Sequence, residues 1–340
     1  MQLSYSFIIP VYNRPDEVQE LLSSLCAFTS SLDFEVVIVE DGSTQSSKNV
    51  VDSFSAQLNI AYFEKPNTGP GDSRNYGMQR AKGDYYIILD SDCIIPPHYL
   101  DAVNARLATT YSDCFGGPDA ALDSFSNIQK AINYSMTSVL TTGGIRGNKM
   151  AQKHYEPRSF NMGISKAAFT KTQGFGKIHP GEDPDLSQRI KKAGFTSQFI
   201  EDAFVYHKRR ISWKSFYKQV NKFGMVRPIL NTWHPESAKI TFWFPTLFIG
   251  SFIALLLIGI VFFNQDPRLA AFILIPYAIY FGLVLIHASV INKSLIIGIL
   301  ALRATLVQFI GYGWGFLKST VLIGWLRKDP KKTFPHLFFD

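Results

Sequence analysis

Two long apolar runs in the last third of the chain constrain its fold more than any other feature. Residues 240–263 contain no charged side chain, and residues 269–291 form a second run without Asp, Glu, Lys or Arg. A helix of about 20 apolar residues spans the ~30 Å hydrocarbon core of a bilayer. The short polar turn 264–268 separates the two runs. The sequence therefore predicts transmembrane helices at about 240–263 and 269–291.

A third apolar stretch, at about 294–326, differs from these two. It contains Arg303, Gln308 and Lys318 and is rich in glycine. An arginine inside hydrocarbon is costly. Three crossings would also place the basic residues at 327–332 outside, whereas basic flanks favour the cytoplasmic side. We therefore predict an amphipathic segment at 294–326 that lies in the membrane interface, within a membrane domain at 236–340.

Charge and cysteine content narrow the compartment and the partners. The formal net charge is +7, and basic residues cluster at 208–227, just before the apolar runs. This placement suits anionic lipid headgroups. Nucleic acid is the alternative, but no nucleic-acid module accompanies the charge, so we expect no such partner. Three widely spaced cysteines fit no metal motif and indicate reduced thiols. No signal peptide is recognisable at the N-terminus, which predicts that the front of the chain stays cytoplasmic.

Before the apolar runs, short β-rich runs alternate with helical patterns. We predict strands at 5–11, 34–39, 60–63, 85–89 and 197–205, and helices that follow residues 13, 43 and 71 and cover 164–172 and 186–192. This alternation indicates an α/β domain at 1–235, a mostly parallel sheet with helices on both faces, ending in a membrane-proximal basic segment at 208–235. Ligands of such sheets bind beyond the carboxyl ends of the strands.

Asp90, Ser91 and Asp92 come directly after a predicted strand. Two carboxylates at positions i and i+2 after a strand can point the same way and bind a hard divalent cation such as Mg²⁺ or Mn²⁺. The alternative is a solvated turn, since Asp and Ser are common turn formers. The apolar strand behind the pair fixes the turn and favours the metal site.

Two more motifs lie at strand ends or before helices. Asp41 opens an Asp-Gly-Ser turn, where its carboxylate can accept from a base or ribose; a plain strand-to-helix turn is the alternative. Arg74 lies in the run 67–75, which can set backbone amides near a diphosphate at a helix N-terminus. The run is not a GxxxxGK[ST] loop, and no GxGxxG comes after the first strand. Nucleotide hydrolysis and dinucleotide binding are therefore disfavoured.

The later motifs are weaker by themselves. Glu182 and Asp183 precede a predicted helix and can supply a general base, although carboxylates also stabilise a first helical turn. His207 ends a predicted strand and can join a metal site as neutral imidazole, or be one histidine in a basic segment. The glycine-rich stretch 141–158 has no clear period and predicts a loop over the acceptor site.

These motifs succeed one another in an order that resembles glycosyltransferase family 2, whose catalytic domain has the GT-A fold. The resemblance covers roughly residues 4–210. It includes the runs 7–14, 39–43, 71–77, 83–92, 161–163 and 181–186. The roles of individual residues are implied by this resemblance and not by any motif alone.

The resemblance implies a binding site for a nucleotide sugar and for Mn²⁺ or Mg²⁺. The nucleotide sugar would contact Pro10, Tyr12, Asn13, Asp41, Arg74, Asp90 and Ser91. The principal metal ligand would be Asp92, joined by Asp90 and His207. Asp183, beside Glu182, would be the base of a single-displacement, inverting transfer. The metal and Arg74 would stabilise the departing diphosphate. Further contacts to the acceptor or diphosphate are expected from Arg158, Asn161, Arg210 and Gln219.

The expected function is transfer of a sugar, with a UDP-sugar favoured as donor, to a lipid-linked acceptor. A polyprenyl phosphate or a lipid-linked glycan fits, because an anchored enzyme meets bilayer-bound partners at high local concentration. The expected location is the cytoplasmic face of the inner membrane. A small polysaccharide synthase is one alternative, although Gln219 is not followed by the Arg-Trp pair of the family's processive QxxRW motif. An inactive nucleotide-sugar-binding scaffold is another, and a homo-oligomer is left open.

Overall fold

The computed structural model of the chain describes residues 3–120, 122, 124–143, 156–208, 212–262 and 267–339. The chain divides into two compact units. The first unit comprises Met1–Leu122, Ile145–Lys208 and His336–Asp340, and the second comprises Asp123–Gly144 and Arg209–Pro335. The predicted domain boundary near residue 235 stays a prediction.

The strands all belong to the first unit, and the helices are shared between the two units. The strands are β1 (Tyr5–Val11), β2 (Phe34–Asp41), β3 (Ile60–Lys65), β4 (Tyr85–Leu89), β5 (Cys93–Ile94), β6 (Cys114–Gly116), β7 (Asp119–Ala120), β8 (Asn161–Ser165), β9 (Ser197–Phe199) and β10 (Val205–His207). The helices are α1 (Pro15–Cys26), α2 (Lys48–Phe54), α3 (Pro70–Arg80), α4 (Tyr99–Thr109), α5 (Asn127–Thr137), α6 (Val139–Thr142), α7 (Lys166–Thr172), α8 (Glu182–Lys192), α9 (Trp213–Trp233), α10 (Phe244–Phe262), α11 (Pro267–Ile291), α12 (Leu295–Ser319) and α13 (Pro330–Thr333).

A seven-stranded sheet in the order β3-β2-β1-β4-β8-β6-β9 forms the centre of the first unit. β3, β2, β1 and β4 run parallel, β8 is antiparallel to both β4 and β6, and β9 is parallel to β6. A three-stranded sheet, β5-β10-β7, accompanies it. The prediction of a mostly parallel α/β sheet is confirmed.

The strands bury side chains on both faces, because helices cover both. Along β1, Phe7 and Ile9 pack in the cluster that contains α1 and α4, whereas Ile8 packs in the cluster that contains α3 and α8. Successive side chains of a strand point to opposite faces. A strand covered on both faces therefore appears in the sequence as a continuous apolar run.

Two predicted elements are wrong in detail. The predicted strand 197–205 is two strands, β9 and β10, which belong to different sheets. The predicted helix 164–172 begins only at Lys166, because residues up to Ser165 pair with β4 and the Ser165 hydroxyl accepts from the Ala168 amide to cap the helix. The predicted loop 141–158 falls largely outside the described residues.

The second unit is helical. α12 packs against α5, α9, α10 and α11. Glycines permit close approach of two of these helices: a Cβ at Gly315 would lie 2.3 Å from the Asn221 carbonyl oxygen, and one at Gly224 would lie 2.2 Å from the Tyr312 carbonyl oxygen. Within the described part of the chain, three helical spans, Ile240–Phe262, Phe272–Ile291 and Leu295–Trp325, are long and apolar enough to cross a membrane.

Candidate active site

The candidate site lies where neighbouring parallel strands end. Asp41 is the last residue of β2, and Asp90 and Asp92 come after β4. β1 lies between these two strands. Parallel strands bring their carboxyl ends to one edge of the sheet, so motifs distant in sequence meet there.

Asp41 is buried and holds the turn that precedes α3. Its Oδ1 accepts from Lys65 Nζ at 2.6 Å and from the Thr68 amide at 3.0 Å, and its Oδ2 accepts from the Gly69 amide at 3.0 Å. These three hydrogen bonds fix the carboxylate beside Lys65. Sequence reasoning did not identify Lys65, although its place at the end of β3, next to β2, is the signal that would have found it.

The first-strand residues lie in two kinds of surroundings. Asn13, with φ of 55°, accepts from the amides of Thr44 and Gln45 at 2.8 and 2.9 Å, so it supports the turn after Asp41. Pro10 is partly buried within β1, while the Tyr12 ring is 51% exposed. An exposed ring beside this turn can stack on a nucleotide base.

Arg74 connects two parts of the site. Its guanidinium donates to Asp90 at 2.7 Å and to Glu182 at 3.1 Å, and lies 5.2 Å from the centre of the Phe175 ring. Burial opposes its charge, yet the carboxylates of Asp90, Glu182 and Asp183 raise the pKa of Arg74. Its Nε atom is buried and has no hydrogen-bond partner among the described residues.

Glu182 and Asp183 sit side by side at the start of α8 with different acidities. Burial, followed by the negative charge of Glu182, raises the pKa of Asp183 to about 6, although Arg74 and Arg158 oppose this. Burial also acts to raise the pKa of Glu182, but His179 and Arg74 hold it at about 2. Asp183 Oδ1 is buried without a hydrogen-bond partner in the described part of the chain. A carboxylate of raised pKa with an unused oxygen is suited to accept a proton.

Asp92 and His207 come together beside Arg14. His207 Nε2 lies 3.3 Å from Asp92 Oδ1, and the Arg14 guanidinium lies 3.3 Å from Asp92 Oδ2. The opposite ring nitrogen of His207 faces the Asp119 carboxylate at 3.8 Å, which orients the ring. Arg14 was not identified from the sequence as a site residue.

The donor atoms in this cluster fit a Mn²⁺ or Mg²⁺ ion. Asp92, Cys93 and His207 offer ligand atoms that all lie within 4.8 Å of one another. Carboxylate oxygens suit Mn²⁺ and Mg²⁺, and a neutral imidazole is a common further metal ligand. Burial raises the pKa of the Cys93 thiol well above its usual range, so this group stays protonated and leaves the two other side chains as ligands. Asp90 lies outside this three-residue group, and its metal role stays a prediction.

The remaining predicted contacts are scattered. Asn161 is fully buried. Its side-chain amide donates to the Ala203 carbonyl at 2.7 Å and its side-chain oxygen accepts from the Tyr99 hydroxyl at 2.6 Å, so these groups bond within the protein interior. Arg158 lies 3.7 Å from Glu156. Ser91 is buried. Gln219 belongs to α9 in the second unit, and Arg210 lies outside the described residues.

Comparison with known proteins agrees with this arrangement. A mostly parallel sheet with carboxylates at its strand ends is the architecture of GT-A nucleotide-sugar transferases. The model of the family "Glycosyl transferase family 2" matches residues 6–176. The chain therefore belongs to glycosyl transferase family 2.

Individual relatives match only in part. Chondroitin synthase of Escherichia coli is 25% identical over 234 residues, which are 59% of this chain and 34% of that protein. The poly(ribitol-phosphate) β-N-acetylglucosaminyltransferase TarS of Staphylococcus aureus is 32% identical over 114 residues, 33% of this chain and 20% of TarS. The matched regions thus cover about a third or less of these two relatives.

A solved structure supports the fold over most of the chain. The mannosyltransferase PcManGT of Pyrobaculum calidifontis, in complex with GDP-Man and Mn²⁺, superimposes with a TM-score of 0.56 and 15% identity. The superposition covers 96% of this chain and 89% of that one.

Proposed function

We propose that the chain is an inverting glycosyltransferase that takes a sugar from a nucleotide diphosphate donor. The observation that carries the proposal is the buried carboxylate oxygen of Asp183, in a family 2 chain that also has the Asp92–His207 cluster. Asp183 has a buried, unused oxygen and a pKa raised to about 6 by burial and by Glu182. It is therefore ionised at neutral pH and basic enough to take a proton.

The chemistry is a single displacement at the anomeric carbon. The acceptor hydroxyl attacks this carbon while its proton passes to Asp183, and the bond between the carbon and the diphosphate oxygen breaks. The diphosphate leaves with that electron pair. Glu182 remains ionised beside Arg74 and keeps the proton affinity of Asp183 high. Asp41 and Tyr12 are the proposed contacts of the nucleotide base of the donor. The proposed donor is a UDP-sugar.

Asp92 and His207 would hold Mn²⁺ or Mg²⁺, with Asp90 as a further proposed contact to the metal or ribose. When bound, the ion neutralises charge on the departing diphosphate. Arg14 already places a positive charge beside Asp92 at 3.3 Å. Arg74 fixes Asp90 and Glu182 in position, and a direct contact with the diphosphate remains part of the proposal.

The proposed acceptor is lipid-linked, either a polyprenyl phosphate or a lipid-linked glycan. Support comes from the three spans long and apolar enough to cross a membrane, which would hold the chain at a bilayer. Basic residues of α9, such as Lys214 and Lys218, suit an anionic surface. The proposed location is the cytoplasmic face of the inner membrane, and Arg158, Arg210 and Gln219 remain proposed acceptor contacts.

The test is turnover of donors by the protein purified in detergent. UDP-, GDP- and dTDP-sugars are supplied with Mn²⁺, with and without polyprenyl phosphate, and release of nucleoside diphosphate is measured. We expect one donor class to be used, faster with the lipid acceptor. The Asp92→Ala variant should lose about 100-fold of the rate or more, a loss of the size seen when charge stabilisation at a reacting centre is removed.

Asp52→Ala is the matched control, because Asp52 pairs with Lys48 on the surface of α2. Its turnover should equal that of the wild type. If the wild type releases no nucleoside diphosphate with any donor, the protein is not a transferase of this kind. If only soluble sugars accept, the lipid-linked acceptor is refuted while the transferase remains.

A further inference from the structure

A short segment far from the motifs in sequence lies against the candidate site. Residues 336–339, here called the clasp, belong to the first unit. The Leu337 carbonyl accepts from the His179 amide at 2.7 Å, and the Phe339 amide donates to the Lys177 carbonyl at 3.0 Å. Leu337 is fully buried. The clasp is thus held by backbone hydrogen bonds to the segment that leads into α8.

On one side the clasp contacts the turn that holds Asp41. The Phe339 ring lies so close to Gly69 that a Cβ there would meet its carbons at 2.4 to 2.7 Å. Gly69 also has φ of +95°, so both its conformation and this contact require glycine. Its amide donates to Asp41 Oδ2 at 3.0 Å. Phe339 therefore contacts Gly69, whose amide fixes Asp41, the proposed contact of the nucleotide base. We call this part of the site its nucleotide end.

On the other side the clasp contacts the segment that carries the proposed base. The centres of the Phe339 and His179 rings are 5.9 Å apart. His179 Nδ1 lies 2.8 Å from Glu182 Oε1, and Glu182 also accepts from Arg74. Asp183 is the next residue. A single aromatic ring thus contacts both the turn that holds Asp41 and the histidine that holds Glu182.

We propose that the clasp is a positioning element of the active site, in which Phe339 sets the base Asp183 relative to the bound nucleotide. This inference rests on the proposed function. The donor is held at one end of the site and its anomeric carbon reacts at the other, so the distance between the two ends controls the geometry of attack. Displacement of a reacting group by about 1 Å can reduce the rate on the order of 100-fold.

The clasp is tested with the full chain in detergent by Phe339→Ala and Phe339→Leu. Phe339→Ala is expected to lower kcat by about 10- to 100-fold, and Phe339→Leu to recover most of it by refilling the space. Hydrogen exchange at the His179 amide, which bonds to Leu337, should accelerate in Phe339→Ala. Since Phe339 acts through His179, Phe339→Ala and His179→Ala should be non-additive in kcat.

Tyr111→Ala is the matched control, because Tyr111 is 53% exposed and precedes β6, towards the edge of the sheet opposite β3. It should leave kcat unchanged. If the wild type turns over a donor and Phe339→Ala does so equally fast with unchanged exchange at His179, the clasp is overturned and the proposed function stands. If the wild type binds none of UDP, GDP and dTDP in the presence of Mn²⁺, the proposed function fails and the clasp's role fails with it.

Discussion

The two units use apolar side chains in opposite ways. In the first, the β1 residues Phe7 and Ile8 are completely buried between helices. In the second, the α10 residues Leu247 and Ile260 are 61% and 62% exposed. Exposed apolar surface on this scale requires a partner other than water. The first unit therefore buries its apolar side chains within itself, whereas α10 and α11 leave theirs exposed and are long and apolar enough to cross a membrane.

Within the second unit, α12 stands between these extremes. Of the most apolar stretch of each span, 6% is buried in the first, 11% in the second and 44% in the third. The polar residues of α12 also have partners: Arg303 lies 4.9 Å from the centre of the Trp213 ring, and Gln308 accepts from Ser135 at 3.0 Å. α12 is therefore the packing centre of its unit, and its predicted position in the interface stays a prediction.

The greatest loss should come from removing a charge from the interior of the first unit. Asp183→Asn keeps the shape of the side chain but cannot take a proton, so kcat should fall by about 10²- to 10⁴-fold. Initial rates of nucleoside diphosphate release measure this. Asp52→Asn, on the exposed face of α2, should retain the wild-type rate. If Asp183→Asn keeps the wild-type rate as well, another group is the base.

The next effect comes from adding a charge to the exposed apolar surface of the second unit. Leu257→Arg, at a position that is 57% exposed on α10, should cost about 2.5–3.5 kcal/mol of insertion free energy in a bilayer. The fraction of protein recovered in membranes should fall. Tyr111→Arg, on the surface of the first unit, should change stability by no more than about 0.5 kcal/mol. Equal recovery of both variants would mean that α10 does not meet hydrocarbon.

A smaller effect should distinguish the closely packed α12 from the exposed α10 when a glycine in each helix is replaced by alanine. Gly315→Ala places a Cβ 2.3 Å from the Asn221 carbonyl oxygen, so α9 and α12 must move apart. This overpacking should cost about 1–3 kcal/mol. Gly250→Ala, on α10, meets nothing within 4 Å and should stabilise its helix by about 0.5–1 kcal/mol. Thermal unfolding in detergent measures both, and a Gly315→Ala variant as stable as the wild type would refute the close packing.

The mildest effect is a change in pH dependence. With the pKa of Asp183 raised to about 6 by burial and by Glu182, kcat should fall as pH drops through about 6, because the base becomes protonated. Glu182→Gln removes a negative charge that favours protonation of Asp183. The pKa of Asp183 should therefore decrease, and the acid limb of kcat should move to lower pH. The pH profiles of wild type and variant measure this, and a limb that stays in place would show that Glu182 does not tune the base.

The first four strands, β1 to β4, and the acidic motifs could be located from the sequence without any knowledge of the fold. The continuous apolar runs at 5–11 and 85–89 match β1 and β4, because a strand buried on both faces leaves that pattern. The charge-free runs likewise predicted α10 and α11. Local periodicity, turn chemistry and strand ends are short-range properties, and a single sequence shows them directly.

Which side chains meet depends on the tertiary structure alone. Arg74 and Glu182 are 108 positions apart, yet they form a buried ion pair. Whether Asp183 is basic depends on that burial and on its neighbour, not on its own segment. Phe339 reaches Gly69 only because the sheet and its loops bring distant residues to one edge. Such contacts have no local signature, since the free energy that selects them comes from burying the whole unit at once.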